Sequence, residues 1–172
     1  MAEICFTNNE SAFYSNVKKL INDKPLNTQF PKNIPMFTCM KSHSFAIVGC
    51  GKLANIIVKA LIKNLLPTYK LIGSYSGTFE KAQAIADKVN NSEKDYACKP
   101  CHSFEELLEL KPDYLVETAS PSAFREFALP ALKNGSTIVT LSIGALADAE
   151  FYEKVQQTAL ENNTRVYLAS GA

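Results

Sequence analysis

Short apolar runs alternate with segments of helical periodicity from Ser44 to the end of the chain. The runs are continuous rather than alternating in polarity, which is typical of strands buried on both faces of a parallel sheet. Six strands are predicted, at residues 45–48, 70–75, 96–98, 113–118, 137–141 and 165–168. Helices are predicted between them at residues 53–65, 79–89, 103–109, 121–133 and 147–161. Because crossovers between parallel strands are right-handed, the simplest fold is an α/β doubly wound sheet with strand order 3-2-1-4-5-6.

Composition is that of an ordinary globular protein. The 172 residues are 47% hydrophobic with a formal net charge of +1, which suits one domain with a real core and excludes intrinsic disorder. The near-neutral net charge is not the excess of positive charge that is typical of nucleic-acid-binding proteins. No apolar run approaches the ~20 residues that span a membrane. The N-terminus lacks the basic start and apolar centre of a signal peptide. Five irregularly spaced cysteines favour reduced thiols, so we expect a cytoplasmic protein.

Residues 1–43 differ from the rest of the chain. We predict a short N-terminal helix and an extended arm that packs on the main domain of residues 44–172. The helix is indicated by an apolar stripe at helical spacing, made of Phe13, Val17, Leu20 and Ile21. The polar stretch that follows contains three prolines that disfavour regular structure, namely Pro25, Pro31 and Pro35. No chemical motif is found in either segment.

A glycine-rich turn, Gly49-Cys50-Gly51-Lys52-Leu53-Ala54, follows the first predicted strand and opens the first predicted helix. In that context a G-x-G-x-x-A string predicts a Rossmann-type dinucleotide-binding loop. Gly49 would allow the tight turn, Gly51 would let the backbone approach a pyrophosphate, and Ala54 would permit close packing of helix on strand. The helix N-terminus offers unpaired N–H groups to phosphate, and Lys52 there favours an anion. The alternative is a glycine turn that only connects two elements.

The end of the second predicted strand bears on the choice between NAD and NADP. About 20 residues beyond the glycines, an acidic residue would bind the ribose 2′-hydroxyl of NAD. This chain has Ser74-Tyr75-Ser76-Gly77 there, with no carboxylate to repel a 2′-phosphate. The hydroxyls of Ser74 and Ser76 and the charge of Lys81 suit such a phosphate, which favours NADP or the use of both cofactors. A serine-rich turn with no preference is the alternative.

Three further segments carry a family resemblance. They are Val116-Glu117-Thr118-Ala119-Ser120-Pro121, Leu141-Ser142-Ile143-Gly144-Ala145-Leu146-Ala147-Asp148 and Tyr167-Leu168-Ala169-Ser170-Gly171-Ala172. Together they resemble the dinucleotide-binding half of the L-aspartate dehydrogenase family, which is similar to the cofactor domain of homoserine dehydrogenase. The resemblance covers residues 44–172 and implies hydride transfer between NAD(P) and an amino or imino acid.

The resemblance also implies where the nicotinamide half of the cofactor would lie. The nicotinamide ribose would be lined, at the crevice outside the strand ends, by Ala119 and Ser120, and Pro121 is also expected to bind the cofactor. The residues expected beside the nicotinamide itself are Ser142, Gly144 and Ala145. For Ser120 the alternative is a plain helix N-cap, a role compatible with the first.

No catalytic residue is assigned. In the family the catalytic histidine belongs to a substrate domain that follows the equivalent of Ala172, and neither His43 nor His102 matches its context. We therefore expect this chain to bind the dinucleotide but to need the missing domain for a small amino-acid or oxo-acid substrate. A non-catalytic nucleotide-sensing or protein-docking module is the alternative, and homo-oligomerisation stays open.

One string matches patterns of unrelated chemistry. Cys98-Lys99-Pro100-Cys101-His102 fits c-type haem attachment and also contains the C-x-x-C of redox or zinc sites. We interpret it as a coincidental turn, because haem attachment needs export and zinc needs two further ligands. No metal site is predicted. Cys50 is expected to be a small residue beside the cofactor, although a helix N-terminus could lower the pKa of its thiol. Glu117 is expected to form hydrogen bonds behind the cleft rather than face it.

Overall fold

A computed structural model describes residues 42–169 as alternating strands and helices. The predicted N-terminal helix and arm lie outside these residues, except for Ser42 and His43. The elements are β1 (His43–Val48), α1 (Lys52–Ile62), β2 (Tyr69–Tyr75), α2 (Phe79–Asn90), β3 (Lys99–Cys101), α3 (Phe104–Glu109), β4 (Tyr114–Glu117), α4 (Pro121–Lys133), β5 (Thr137–Thr140), a 3-10 helix (Ile143–Ala147), α5 (Ala149–Glu161) and β6 (Val166–Leu168). No helix within residues 42–169 is long and apolar enough to cross a membrane.

The strands form one parallel sheet in the order β3-β2-β1-β4-β5-β6, which confirms the predicted doubly wound topology. β1 and β4 lie side by side at its centre, with Val48 opposite Glu117. Because all strands run in the same direction, their carboxyl ends meet along one side of the sheet, here called the carboxyl edge. The order reverses between β1 and β4, so a crevice for a ligand is expected at that point of the carboxyl edge.

Two hydrophobic clusters cover opposite faces of the sheet. On one face, α1 and α2 pack against Phe45, Ile47 and Leu71. On the other face, α3, α4 and α5 pack against a second set of strand residues that includes Ala46 and Val48. Successive residues of β1 therefore alternate between the two clusters, as expected for a strand buried on both sides.

The third strand is not where the sequence predicts it. The expected strand at residues 96–98 is wrong, and β3 instead comprises Lys99–Cys101, with Gly73 of β2 opposite Lys99. The reason is a side chain at the end of α2. Asn90 accepts the N–H of Cys98 at 2.8 Å and donates to the carbonyl of Cys98 at 3.0 Å. Both backbone groups of Cys98 are thus bonded to Asn90, and strand pairing starts one residue later.

Two helix boundaries also differ from the prediction. α1 ends at Ile62 rather than at residue 65, because Asn64 adopts a φ of +58° and the Leu65 N–H bonds the Ala60 carbonyl at 3.0 Å. The last helix starts at Ala149 rather than at residue 147, since residues 143–147 form the separate 3-10 helix.

α4 begins at Pro121 as predicted, and α3 begins at Phe104, directly after Ser103. The Ser103 hydroxyl accepts the Glu106 N–H at 3.2 Å, and the Ser120 hydroxyl accepts the Ala123 N–H at 3.2 Å. The Glu106 carboxylate accepts the N–H of His102 at 2.7 Å, one residue before the usual partner in a capping box. Each helix start is therefore positioned by a side chain within its own first turn.

Candidate functional site

The glycine loop lies where β1 reaches the carboxyl edge, against the segment that follows β4. Gly49 has a φ of +92°, which L side chains rarely adopt, and a Cβ there would lie 2.6 Å from the backbone nitrogen of Ala119. The Gly49 N–H donates to the Tyr75 carbonyl at 2.9 Å. The Thr118 hydroxyl donates to the Gly49 carbonyl at 2.5 Å. The loop is thereby held against both β2 and the end of β4.

The N-terminus of α1 is open and has no capping side chain. Its N-cap is Gly51, where an added Cβ would meet nothing within 4 Å. α2 likewise has no capping side-chain bond, whereas α3, α4 and α5 are capped by the side chains of Ser103, Ser120 and Asp148. The first turn of α1 contains no acidic residue, and Lys52 is exposed there. A positively polarised helix end with free space beside its N-cap fits a phosphate group.

The other residues of the loop differ in exposure. Ala54 is fully buried against the sheet, as expected for close helix packing, whereas 45% of the Leu53 surface is exposed. The Cys50 thiol is buried and contacts the Tyr75 carbonyl at 3.5 Å. Burial raises the pKa of Cys50 to about 11. The expectation that the helix N-terminus could lower this pKa is therefore wrong, because desolvation of the thiolate dominates.

The predicted residues at the end of β2 separate onto different sides of the strand. Ser74 is fully buried, and its hydroxyl donates to the Ala82 carbonyl of α2 at 2.9 Å. The structure thus contradicts the predicted contact of Ser74 with a ribose phosphate, because this hydroxyl points into the core. The Tyr75 ring packs on the opposite face, 5.7 Å from the Phe127 ring centroid. Ser76, which follows the strand, is half-buried at the carboxyl edge.

Glu117 is buried at the end of β4, with 1% of its surface exposed. Its Oε1 accepts the N–H groups of Ala119 and Ser120 at 2.7 and 3.0 Å. The same oxygen accepts the hydroxyl of Ser142 at 3.1 Å, and Oε2 accepts the hydroxyl of Thr140 at 2.5 Å. The carboxylate therefore joins the end of β4 to the end of β5, which confirms its expected hydrogen-bonding role.

Ala119, Ser120 and Pro121 connect β4 to α4 at the carboxyl edge. The Ser120 hydroxyl caps α4 and lies 2.9 Å from the Ser122 hydroxyl, so its N-cap role is confirmed. Ala119 and Pro121 are exposed. These two residues offer open surface beside the glycine loop, while the Ser120 hydroxyl is already engaged.

Ser142, Gly144 and Ala145 lie in three different environments. Ser142 is 9% exposed, and its hydroxyl donates to Glu117. Ala145 is 1% exposed and belongs to the core cluster beneath α4 and α5. The 3-10 helix turns the Ala145 side chain inward, and the expected place of Ala145 beside the nicotinamide stays a prediction. Gly144 is exposed, with open space where a Cβ would point.

The Cys98–His102 segment forms β3 and its flanks rather than the predicted turn. Cys98 and Cys101 are 2% and 0% exposed, and burial raises the pKa of both thiols, that of Cys98 to about 12. His102 stacks on Phe79 with ring centroids 3.8 Å apart. Among residues 42–169, no three His, Cys, Asp or Glu side chains form a group that could hold a metal. Two buried neutral thiols suit neither haem attachment nor thiol exchange.

Thr118 and Thr140 form hydrogen bonds at the site but are not among the residues predicted from the sequence. Thr140 lies opposite Glu117 in the β4–β5 register, and its hydroxyl bonds the carboxylate. A buried carboxylate needs hydrogen-bond donors nearby. A hydroxyl residue at the end of the neighbouring predicted strand, such as Thr140, is therefore the sequence signal that indicates a partner for Glu117.

The glycine loop places the open N-terminus of α1 beside the end of β4, at the switch point of a doubly wound sheet. This arrangement defines the class of Rossmann-type dinucleotide-binding domains. Residues 49–169 match the family model described as the NAD-binding domain of homoserine dehydrogenase. The chain belongs to this family.

Known proteins resemble the chain over about three quarters of its length. It is 33% identical over 126 residues to an L-aspartate dehydrogenase of Methanococcus maripaludis, covering 73% of this chain and 45% of that protein. The chain thus spans about half the length of the curated relatives it matches.

Solved structures share the fold. The WlbA dehydrogenase of Chromobacterium violaceum, solved with NADH and UDP-GlcNAcA, superposes with a TM-score of 0.62 at 18% identity, covering 80% of this chain and 37% of that one. The aspartate dehydrogenase of Thermotoga maritima superposes with a TM-score of 0.52 at 22% identity, covering 73% and 45%.

Proposed function

We propose that this chain is the NAD(P)-binding half of an oxidoreductase that transfers a hydride between the cofactor and an amino or imino acid. The observation that carries the proposal is the open N-terminus of α1, with free space at Gly51 and an exposed Lys52. Membership of an NAD-binding family supports the ligand. Similarity to L-aspartate dehydrogenases supports the substrate class.

Each part of the carboxyl edge then has a task. The N–H groups of the first turn of α1 beside Gly51 would hold the pyrophosphate, and Lys52 would add positive charge. Ser76 would contact the adenosine ribose. Ala119 would hold the nicotinamide ribose, and Gly144 would lie beside the nicotinamide ring. When bound, NAD(P) supplies or accepts the hydride, while this chain orients it and leaves the substrate to residues outside this domain.

The proposal favours NADP or the use of both cofactors. With Ser74 engaged in the core, the hydroxyl that remains for a 2′-phosphate is that of Ser76. Lys81 is exposed early in α2 and adds positive charge, whereas Glu80 is exposed beside it. Replacement Ser76→Asp should repel a 2′-phosphate and bind a 2′-hydroxyl, lowering NADPH affinity relative to NADH. An unchanged ratio of the two dissociation constants would contradict this assignment.

Isothermal titration calorimetry of the 172-residue chain with NADH and NADPH tests the binding proposal. We expect saturable binding of at least one nucleotide. Gly51→Val fills the space for the pyrophosphate and should weaken binding about tenfold, the equivalent of ~1.4 kcal/mol. Lys52→Gln should weaken binding and reduce its salt dependence. Lys59→Gln, in the last turn of the same helix, is the matched control and should leave affinity unchanged. Absence of binding of both nucleotides at millimolar concentration would refute the proposal.

A turnover assay separates binding from chemistry. The chain alone, mixed with L-aspartate and NAD(P)⁺, should bind the cofactor without producing NAD(P)H above background. Enzymatic turnover by this chain would show that a catalytic group lies within its 172 residues, against the division of labour proposed here.

We also propose a reducing compartment such as the cytoplasm. Cys50, Cys98 and Cys101 are free thiols in the described part of the chain. Titration of the purified, denatured protein with a thiol reagent should detect all five cysteines. A lower count in freshly purified protein would indicate disulfides and contradict this location.

A further inference from the structure

We propose that Glu117 is a positioning residue for the nicotinamide side of the cofactor site. This inference rests on the proposed function, because it assigns a task to a group behind the site. Glu117 is 1% exposed, so it does not contact the cofactor. Its carboxylate instead holds the two backbone segments over which the nicotinamide half is proposed to lie.

The hydrogen-bond pattern identifies Glu117 as an acceptor toward both segments. Backbone N–H groups can only donate, so Oε1 must accept the bonds from Ala119 and Ser120. The hydroxyls of Ser142 and Thr140 complete the shell. A single side chain thus holds residues from both the β4–α4 segment and the end of β5.

These bonds form a closed ring. The Thr140 hydroxyl donates to Glu117 and accepts the N–H of Ser142 at 3.0 Å, while the Ser142 hydroxyl returns to Glu117. Ser142 is the N-cap of the 3-10 helix that presents Gly144 at the carboxyl edge. The carboxylate therefore sets where this 3-10 helix begins relative to β4.

Within the described residues, no hydrogen bond of the Glu117 carboxylate reaches the pyrophosphate side, and the two sides meet through the packing of Gly49 against Ala119. The Gly49 N–H is held by the Tyr75 carbonyl, and the Thr118 N–H bonds the Val48 carbonyl at 2.8 Å. The open end of α1 follows Gly51, which no bond connects to Glu117 in the described structure. Removing the carboxylate should therefore loosen the nicotinamide side and leave the pyrophosphate side in place. A residue needed only for stability would not distinguish the two sides.

The test compares NADH with ADP-ribose, which lacks the nicotinamide, by calorimetry on the 172-residue chain. Glu117→Ala should raise the dissociation constant of NADH about tenfold and that of ADP-ribose less than about threefold. Glu117→Gln keeps an oxygen for the N–H groups of Ala119 and Ser120, so it should recover most of the NADH affinity. Thr140→Val removes one donor without shortening the side chain, and it provides the same comparison if Glu117→Ala does not fold.

Thr158→Val is the matched control. It removes another buried hydroxyl, which donates to the Lys154 carbonyl within α5, away from the carboxyl edge. It should leave both dissociation constants unchanged. The positioning role would be overturned if folded variants of Glu117 and Thr140 weakened the binding of NADH and ADP-ribose equally. It would also be overturned if these variants did not weaken NADH binding. Failure of the unaltered chain to bind either ligand would instead overturn the proposed function on which it rests.

Discussion

Replacing Gly49 by alanine tests how tightly the glycine loop is packed against the end of β4. Gly49 has a φ of +92°, and the added Cβ would lie 2.6 Å from the Ala119 nitrogen and 2.7 Å from the Ala119 Cβ. Holding an L residue in this backbone conformation costs ~1–3 kcal/mol. Relieving the overlap moves backbone atoms, and overpacking of this kind costs a further ~1–3 kcal/mol.

Alanine also restricts the unfolded chain, which returns ~0.4–1 kcal/mol of stability. The expected net loss in the free energy of unfolding is therefore roughly 1–5.6 kcal/mol. For a chain of this length, each kcal/mol lowers Tm by ~2–4 °C, so Gly49→Ala should lower Tm by at least about 2 °C. Thermal unfolding followed by circular dichroism measures this change, and urea unfolding gives the free energy directly.

Gly51→Ala is the matched control, because its Cβ would meet nothing within 4 Å and its φ is −87°. Its cost at a helix N-cap should be less than about 1 kcal/mol. The two variants should thus separate, with Gly49→Ala losing stability and Gly51→Ala keeping it. If Gly49→Ala had a Tm equal to or above that of Gly51→Ala, the contact between the two loops and the conformational requirement at Gly49 would both be refuted.

Three further outcomes are expected. Ser74→Ala loses the hydrogen bond to the Ala82 carbonyl and should cost about 1 kcal/mol in urea unfolding, without changing the ratio of NADH to NADPH affinity; a changed ratio would return Ser74 to the site. Asn90→Ala loses both bonds to the Cys98 backbone and should cost about 1–3 kcal/mol, and Asn90→Asp, which keeps the acceptor, should cost less. Burial raises the pKa of Cys50 to about 11 and of Cys98 to about 12. Each buried neutral thiol thus stabilises the folded state, and this stabilisation is complete below the unfolded pKa near 9. As pH rises toward the folded pKa values, the free energy of unfolding should fall by roughly 1–2 kcal/mol per thiol at pH 10.5. Cys98→Ala should reduce this alkaline loss in urea unfolding, and an equal loss in the variant would contradict the assignment.

The strand order could be predicted because most strands are continuous apolar runs, which is the pattern that a strand buried on both faces requires. β1 is an example, since Phe45 and Ile47 pack under α1 and α2 while Ala46 and Val48 pack on the other face. β3 gave no such signal. It consists of only Lys99, Pro100 and Cys101, and its start depends on the hydrogen bonds of Asn90 to Cys98, a tertiary contact that no local pattern contains.

In the candidate site, the backbone features could be predicted from the sequence, whereas the directions of some side chains could not. Gly49 and Gly51 could be placed from the sequence, because their roles depend on backbone conformation at a strand-to-helix turn. The side chains of Ser74 and Ala145 could not be placed in this way. Successive residues of a strand point to opposite faces, so the direction of Ser74 depends on the register of β2 against β1. This register shifts by one residue, because Phe45 pairs with Leu71 whereas Ala46 pairs with Gly73.

The closed ring around Glu117 also has a mechanical consequence. β6 leaves the sheet at the carboxyl edge, where the Ala169 N–H bonds the Thr140 carbonyl at 2.9 Å. The hydroxyl of the same Thr140 bonds Glu117. A force applied to the chain at residue 169 is thus only two hydrogen bonds away from the carboxylate that holds Ala119 and Ser120. Tension on the residues that follow Ala169 would therefore reach the carboxyl edge through the hydrogen bonds of two buried residues, Thr140 and Glu117.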